Sequence, residues 1–218
     1  GVGAIVAVDL FATNVEEAIL GDARGLLGGD IELSWRRTMS QNGQDVLDSL
    51  SERKMTVSHI TEFAAMAAVE SGKPHDQKTQ AASQLVELKA LDSLYPLYGS
   101  LLVEPAQSIE QLLAAFQTGC QRSPCFGAIV QKSLLIRLNV NLGSELRIGQ
   151  TNFIITGILG KEPDKIATAF SLGPRVMISR EALNATQLVK TGSRIHERYR
   201  LRLLPSENLD RWLGELRG

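Results

Sequence analysis

The stretch HERYRLRLL, residues 196–204, decides the fold because its apolar and charged side chains alternate. In an extended backbone, successive side chains point to opposite faces of a sheet. The two faces carry Tyr199, Leu201 and Leu203 on one side and Arg198, Arg200 and Arg202 on the other. Three earlier stretches also have strand character, residues 31–35, 55–69 and 84–91. We predict that these four strands form one sheet, which begins at Ile31 and is completed by the C-terminal strand.

The arginine face of the last strand has two possible roles. It could bind nucleic acid or phospholipid head groups, or it could be an ordinary solvated sheet face. The chain has a formal net charge of -1, and no aromatic residues alternate with the arginines on that face. Nucleic-acid-binding domains usually combine a basic surface with a positive net charge. We therefore expect a solvated face and no nucleic-acid partner.

Amphipathic helices flank these strands. One helix, over residues 12–27, ends at Gly28 and Gly29, and a second covers residues 44–53. Ser206 is placed to cap a third helix, over residues 207–216. Its apolar residues have i, i+3, i+4 and i+7 spacing, which forms one face: Leu209, Trp212, Leu213 and Leu216. We predict that the second and third helices cover the sheet.

The middle third of the chain has shorter elements. Ser108 and Gln111 have the spacing of a capping box, which predicts a helix that ends at Gly119. Ser179 is placed to cap a second helix. Short strands lie around these helices, and their ranges are 128–131, 145–148, 153–159 and 175–178, with a hairpin turn over 149–152. The pattern predicts a small β-rich part inserted into the outer sheet, and an α+β fold class.

The composition is that of a globular chain, with 44% hydrophobic and 22% charged residues in 218. No apolar run reaches the roughly 20 residues that a spanning helix needs. Residues 1–12 are apolar apart from Asp9, which suits either a buried core helix or the end of a longer membrane helix.

Two cysteines, Cys120 and Cys125, lie in a turn-like stretch without a neighbouring histidine. This spacing makes a zinc site improbable. A disulfide and two unrelated thiols both remain open. If both residues lie on a surface loop, we expect them to be bonded in protein made under oxidising conditions.

The sequence carries few signs of catalytic or metal-binding chemistry. The chain has no G-x-S-x-G, H-E-x-x-H or Walker A motif and no Cys-x-x-Cys pair. His59, His75 and His196 are far apart in sequence and lack ligand spacing, so we expect structural or solvated roles. We predict no catalytic, cofactor-binding or metal-binding residues, and no cofactor.

Several blocks, in the same order along nearly the whole chain, resemble the extracytoplasmic domain of the MacB/FtsX-like permeases, and most closely their YbbP-like branch. The most specific blocks are Gly173-Pro174-Arg175-Val176 and Gly192-Ser193-Arg194. Other matching stretches are residues 26–30, 86–92, 95–99, 142–149, 153–159 and 162–164.

The resemblance implies a domain between the first and second membrane helices of an ABC transporter permease. Residues 1–27 would form the end of the first membrane helix and an incoming helix. Residues 28–93 and 194–218 would form a porter-like α/β part, and residues 94–193 an inserted sabre-like, β-rich part. The implied location is the periplasmic side of a bacterial inner membrane.

The resemblance also implies partners and a function. The partners are a cytoplasmic ATP-binding subunit, a second permease subunit and a possible periplasmic protein. The domain would be non-catalytic, and it would couple ATP-driven movement to the handling or export of a lipid-like or hydrophobic substrate. Two alternatives remain open, a hydrolase acting on lipids and a periplasmic solute-binding module.

Overall fold

The computed structural model of the protein describes residues 28–35, 55–69, 82–116, 120, 125–163 and 172–202. Within these ranges ten strands and three short helices follow one another along the chain. The strands are β1 Ile31–Trp35, β2 Thr56–Ala68, β3 Ser83–Leu91, β4 Leu102–Glu104, β5 Ala115–Phe116, β6 Cys125–Gln131, β7 Glu145–Ile148, β8 Thr151–Lys161, β9 Arg175–Ser179 and β10 His196–Arg202. The helices are α1 Ile109–Leu112, α2 Lys132–Leu138 and α3 Arg180–Thr186.

The described strands form one mixed sheet, with the main order β1-β10-β2-β3-β9-β6-β8-β4. The four strands predicted to share a sheet are neighbours at one side of it, so that prediction is confirmed. Strand β10 lies between β1 and β2, antiparallel to both, with Leu201 opposite Ile31 and Tyr199 opposite His59. The predicted helices over residues 12–27, 44–53 and 207–216 lie outside the described residues.

The strands of the middle third continue the same sheet. Strand β9 runs parallel to β3, and β6 runs antiparallel to β9 and parallel to β8. The predicted hairpin of β7 and β8 is present, with a tighter turn at Gly149 and Gln150 than the four residues expected. The α+β fold class is confirmed, because a mixed sheet dominates and the described helices are few and short. The division into an outer part and an insert stays a prediction.

The helix predicted to run from Ser108 to Gly119 is much shorter. Its capping box is present, since the Ser108 hydroxyl accepts from the Gln111 backbone N–H, but α1 ends at Leu112. The chain then pairs with β6, where the Gly127 N–H donates to the Ala114 carbonyl over 2.9 Å. A side chain on Gly127 would overlap the Leu112 carbonyl oxygen. Strand pairing therefore replaces the later helical turns.

Each face of the sheet buries an apolar cluster. One cluster lies under α2 and α3 and includes Leu88, Phe153 and Ile178. The other lies under α1 and the loop after β3, and it includes Ile60 and Met177. Because the central strands are covered on both sides, they are apolar on both faces, as in β6.

Cys120 and Cys125 form a disulfide, so the alternative of two unrelated thiols is wrong for this structure. The condition attached to the prediction was not met, however. Cys125 begins β6 and is buried, so the two cysteines do not both lie on a surface loop. The bond therefore joins a core strand to the segment that precedes it.

Candidate functional site

The arginine face of β10 is largely covered, and only Arg202 on it is exposed, which corrects the sequence-based expectation of a solvated face. Arg200 is only 3% exposed, and its Nε lies 3.0 Å from Oε2 of Glu32. Arg198 Nη1 lies 3.3 Å from the other oxygen of Glu32. Glu32 is directly opposite Arg200 in the β1–β10 pair, so the strand register itself supplies the counter-charge.

The same face carries buried charges across the neighbouring strands. Arg198 Nε lies 3.1 Å from Oε2 of Glu62, and Glu62 is opposite Lys89 in the β2–β3 pair. Lys89 is 1% exposed, and its ammonium group donates to the Glu162 carboxylate and, over 3.1 Å, to the Tyr95 hydroxyl. Burial of this ammonium requires such partners, because an unpaired charge in the interior is very costly.

Arg175, on β9, contacts three carboxylates. Its guanidinium lies 3.1 Å from Glu62, 3.7 Å from Glu87 and 3.4 Å from Glu162. The Nε contacts of Arg175 with Glu162 and of Arg198 with Glu62 are within ion-pair distance but lack hydrogen-bond alignment. They are ionic contacts, because the distances are short although the angles are poor.

We call these side chains the sheet network: Glu32, Glu62, Glu87, Glu162, Lys89, Arg175, Arg198 and Arg200. Among the described residues it joins four carboxylates and four cationic groups, so its formal charge is zero. It crosses five adjacent strands, β1, β10, β2, β3 and β9. Charges paired in this way stabilise one strand register, because a slip of one residue would turn the charged side chains of that strand to the opposite face.

The opposite face holds a smaller polar cluster around Glu197. Its Oε2 lies 2.6 Å from His59 Nε2 and accepts from the Thr61 hydroxyl over 2.7 Å. Burial alone raises the pKa of Glu197, but the hydrogen bonds from His59 and Thr61 and the charges of His59 and Arg180 outweigh burial, so that pKa lies below its usual value. The Tyr199 ring stacks on His59 at 3.9 Å. Burial and the Glu197 charge raise the pKa of Tyr199 to about 12.

A serine, a histidine and an aspartate meet near the start of β2 without forming a catalytic triad. Ser58 and His59 are successive residues of one strand, so their side chains point to opposite faces. The Ser58 hydroxyl donates to Asp92 over 2.9 Å, whereas the His59 ring contacts Glu197. A histidine that cannot reach the hydroxyl cannot act as its general base.

The described residues also hold no group of three or more potential metal-ligating side chains. His196 begins β10 opposite Glu62, three residues before Tyr199, which is the residue opposite His59. His75 lies outside the described residues. The predicted absence of site residues stays a prediction. The sheet network could not be predicted from the sequence, because its members come from distant segments. Charged residues inside strand patterns, such as Lys89, were the one signal of it.

A third feature lies where the sheet's first and last strands meet. The Asp30 N–H donates to the Leu201 carbonyl over 2.8 Å, which holds the chain before β1 beside the end of β10. The Tyr98 hydroxyl donates to Asp30 Oδ2 over 2.8 Å, and the Arg202 guanidinium lies 4.8 Å from the centre of the Tyr98 ring. We call Asp30, Tyr98 and Arg202 the end clasp. It connects the start of β1 and the end of β10 to the loop after β3.

Comparisons with known proteins point to one class, the ABC transporter permeases. Over 199 residues the sequence is 24% identical to the uncharacterized ABC transporter permease YbbP of Escherichia coli (strain K12). The match covers 91% of this chain but 22% of that permease, so the chain spans about a fifth of the relative's length. No family model matches the sequence.

One solved structure shares the fold. The periplasmic region of MacB from Actinobacillus actinomycetemcomitans superimposes with a TM-score of 0.50 at 15% identity, covering 88% of this chain and 83% of that one. The extracellular domain of the ABC-type transporter YknZ from Gram-positive bacteria gives a TM-score of 0.47 at 11% identity, with 84% and 88% covered. The resemblance to MacB/FtsX-like extracytoplasmic domains is confirmed. Among the described residues, no helix is long and apolar enough to cross a membrane.

Proposed function

We propose that this chain is a non-catalytic, extracytoplasmic domain that transmits ATP-driven movement within an ABC transporter permease of a bacterial inner membrane. The observation that carries the proposal is the similarity to YbbP over 91% of the chain, together with the fold of a MacB periplasmic region. The proposed partners are a cytoplasmic ATP-binding subunit and a second permease subunit. The proposed cargo is lipid-like or hydrophobic.

The geometry supports a mechanical role. A domain that transmits a rigid-body movement needs internal stiffness and a firm attachment at its ends. The sheet network supplies stiffness, because it ties five strands together with buried ion pairs. Asp30, the residue before β1, and Arg202, the last residue of β10, lie side by side. A movement delivered there would turn the sheet as one body.

An exposed apolar surface supports the hydrophobic cargo. Met66 and Leu85 are opposite one another on β2 and β3, and they are 50% and 39% exposed. Leu172 is 67% exposed, and its backbone N–H donates to the carboxylate of Glu87, two residues along β3 from Leu85. Adjacent exposed apolar side chains of this size are a feature of surfaces that contact apolar ligands or partners.

The test uses the full permease with its ATP-binding subunit in proteoliposomes. A spin label is placed at position 136 of each permease subunit, since Ile136 is 74% exposed on α2. We expect the distance between the two labels to change when a non-hydrolysable ATP analogue is added. An unchanged distance in a complex that binds the analogue would contradict the proposal.

The non-catalytic character has its own test. The purified chain should hydrolyse neither p-nitrophenyl butyrate nor ATP above the rate of buffer alone. Ester hydrolysis that is lost in the Ser58→Ala variant would support the hydrolase alternative and would exclude the proposed role.

A further inference from the structure

The end clasp suggests how movement enters this domain, an inference that rests on the proposed function. We propose that Tyr98 is a positioning residue, which fixes the start of β1 and the end of β10 to the loop after β3. Neither strand end then moves without the rest of the domain. The proposal concerns how force is transmitted and assigns no chemistry to the phenol group.

The first step is that the two ends are already neighbours. Strands β1 and β10 are antiparallel, and the backbone hydrogen bond from Asp30 to Leu201 extends their pairing by one residue beyond Ile31. A backbone hydrogen bond at the end of a strand pair opens at a lower free energy than the bonds in the middle of the pair. Without a further contact, a pull on either end would be absorbed by fraying.

Tyr98 supplies that further contact to both ends at once. Its hydroxyl donates to the Asp30 carboxylate, a charge-assisted hydrogen bond, while its ring lies under the Arg202 guanidinium. One rigid side chain therefore holds the residue before β1 and the last residue of β10. Tyrosine is suited to this role because its ring and its hydroxyl can each bind a different partner.

The loop that carries Tyr98 is itself anchored to the rest of the molecule. Gly99 has a φ of +76°, and a Cβ at this position would lie 2.8 Å from Cβ of Pro163. Glycine is thus required both for the backbone conformation and for the close approach to Pro163. Glu162, the preceding residue, belongs to the sheet network through Lys89 and Arg175. Contacts therefore connect Asp30 and Arg202, through the loop of Tyr98 and through Pro163, to the ion pairs of Lys89 and Arg175.

The experiment uses the full permease and ATP-binding subunit in proteoliposomes, with the spin labels at position 136. Tyr98→Phe removes the hydroxyl and keeps the ring, and Arg202→Gln removes the charge above the ring. We expect each variant to bind the ATP analogue with wild-type affinity but to show a several-fold smaller change in label distance. Arg202→Lys keeps the charge and should retain most of the change.

Ser193→Ala is the matched control. It also removes a hydroxyl from a turn, where Ser193 accepts from the Lys190 N–H over 2.9 Å, but this turn lies before the start of β10, at the opposite end of the strand from Arg202. We expect its label distance to change as in the wild type. Thermal unfolding of all variants checks that a smaller change does not arise from loss of the fold.

A cycle with Asp30→Ala separates positioning from general stability. If Tyr98 acts through Asp30, then the double variant with Tyr98→Phe and Asp30→Ala should lose no more of the distance change than Asp30→Ala alone. Additive losses, or a full distance change in both Tyr98→Phe and Arg202→Gln, would overturn the inference. A wild-type complex without any change would instead contradict the proposed function, so the two failures are distinguishable.

Discussion

At the residue scale, Lys89 is the most demanding side chain of the sheet network. It is 1% exposed and contacts Glu162 and Tyr95, while Glu62 lies 4.0 Å away. A buried ion pair contributes little net free energy when compared with an apolar replacement, because desolvation offsets the attraction between the charges. Removing one partner alone is different, since the other charge stays buried without compensation. The network therefore acts mainly on which register is stable.

We predict that Lys89→Met lowers the free energy of unfolding by about 3–5 kcal/mol, the usual cost of leaving a buried charge unpaired. Methionine fills a similar volume, so the loss reports charge and not a cavity. Urea unfolding followed by circular dichroism measures it. Lys190→Met, at an exposed position, is the control and should change little. Equal, small effects of the two substitutions would show that the carboxylates around Lys89 do not depend on its charge.

Glu197 gives a prediction for acid conditions. Its pKa in the folded protein lies below the ordinary value of 4.5, because the contacts with His59, Thr61 and Arg180 outweigh its burial. The stabilising contribution of such a group is complete above its unfolded pKa and is lost as the pH falls through the folded pKa. Glu197→Gln should therefore reduce stability at neutral pH, and its difference from the wild type should shrink below about pH 4.5.

The measurement is chemical denaturation between pH 7 and pH 3. Glu181→Gln is the control, because Glu181 is exposed in the first turn of α3. A difference between Glu197→Gln and the wild type that stays constant down to pH 3 would show that the contacts of Glu197 do not favour its charged form.

At the element scale, the close packing of β6 against α1 depends on a missing side chain. A Cβ on Gly127 would overlap the backbone of Leu112, so β6 and α1 would have to separate. Separation would also stretch the hydrogen bond from Gly127 to Ala114.

We predict that Gly127→Ala destabilises the fold by about 1–3 kcal/mol, the usual cost of forcing an extra group into a packed site. The midpoint of urea unfolding measures the loss. Gly160→Ala is the matched control, because the nearest atom to its added Cβ, the Leu102 carbonyl oxygen, lies 3.3 Å away. A loss no larger than that of the control would contradict the proposed overlap.

The same scale shows what sequence can and cannot predict. Period-two alternation located β1, β3 and β10, because one apolar face is needed wherever a strand is half covered. Helix α2 was missed, since its run Leu134-Leu135-Ile136 has no clear period and its N-cap, Gln131, makes no side-chain cap. The alternation in β10 also identified which arginines share a face, but it carried no information on Glu32, which faces Arg200 across 168 positions of sequence.

At the scale of the whole molecule, the sheet should open from its edges. Strand β4 lies at one end of the strand order and has only three residues, whereas β3 and β9 lie at the centre. Strand β10 comes late in the sequence but is tied to β1 and β2 on either side.

We predict that the amides of β10 exchange hydrogen as slowly as those of β2, and that the amides of β4 exchange faster than both, because edge strands open at a lower free energy. Hydrogen exchange followed by mass spectrometry or NMR measures this order. Exchange of β10 together with β4, well before β2, would show that the ion pairs on β10 do not bind it into the sheet.

The position of β10 between β1 and β2 has a consequence for folding during synthesis. A ribosome delivers residues in order, so a nascent chain holds β1 and β2 long before it holds the strand that must lie between them. Until then each has an unpaired edge, the kind of surface on which chains aggregate. If the chain is exported, these edges meet the translocation machinery first. We expect a chain truncated before residue 196 to stay soluble only while a chaperone binds it, even though its other strands are complete.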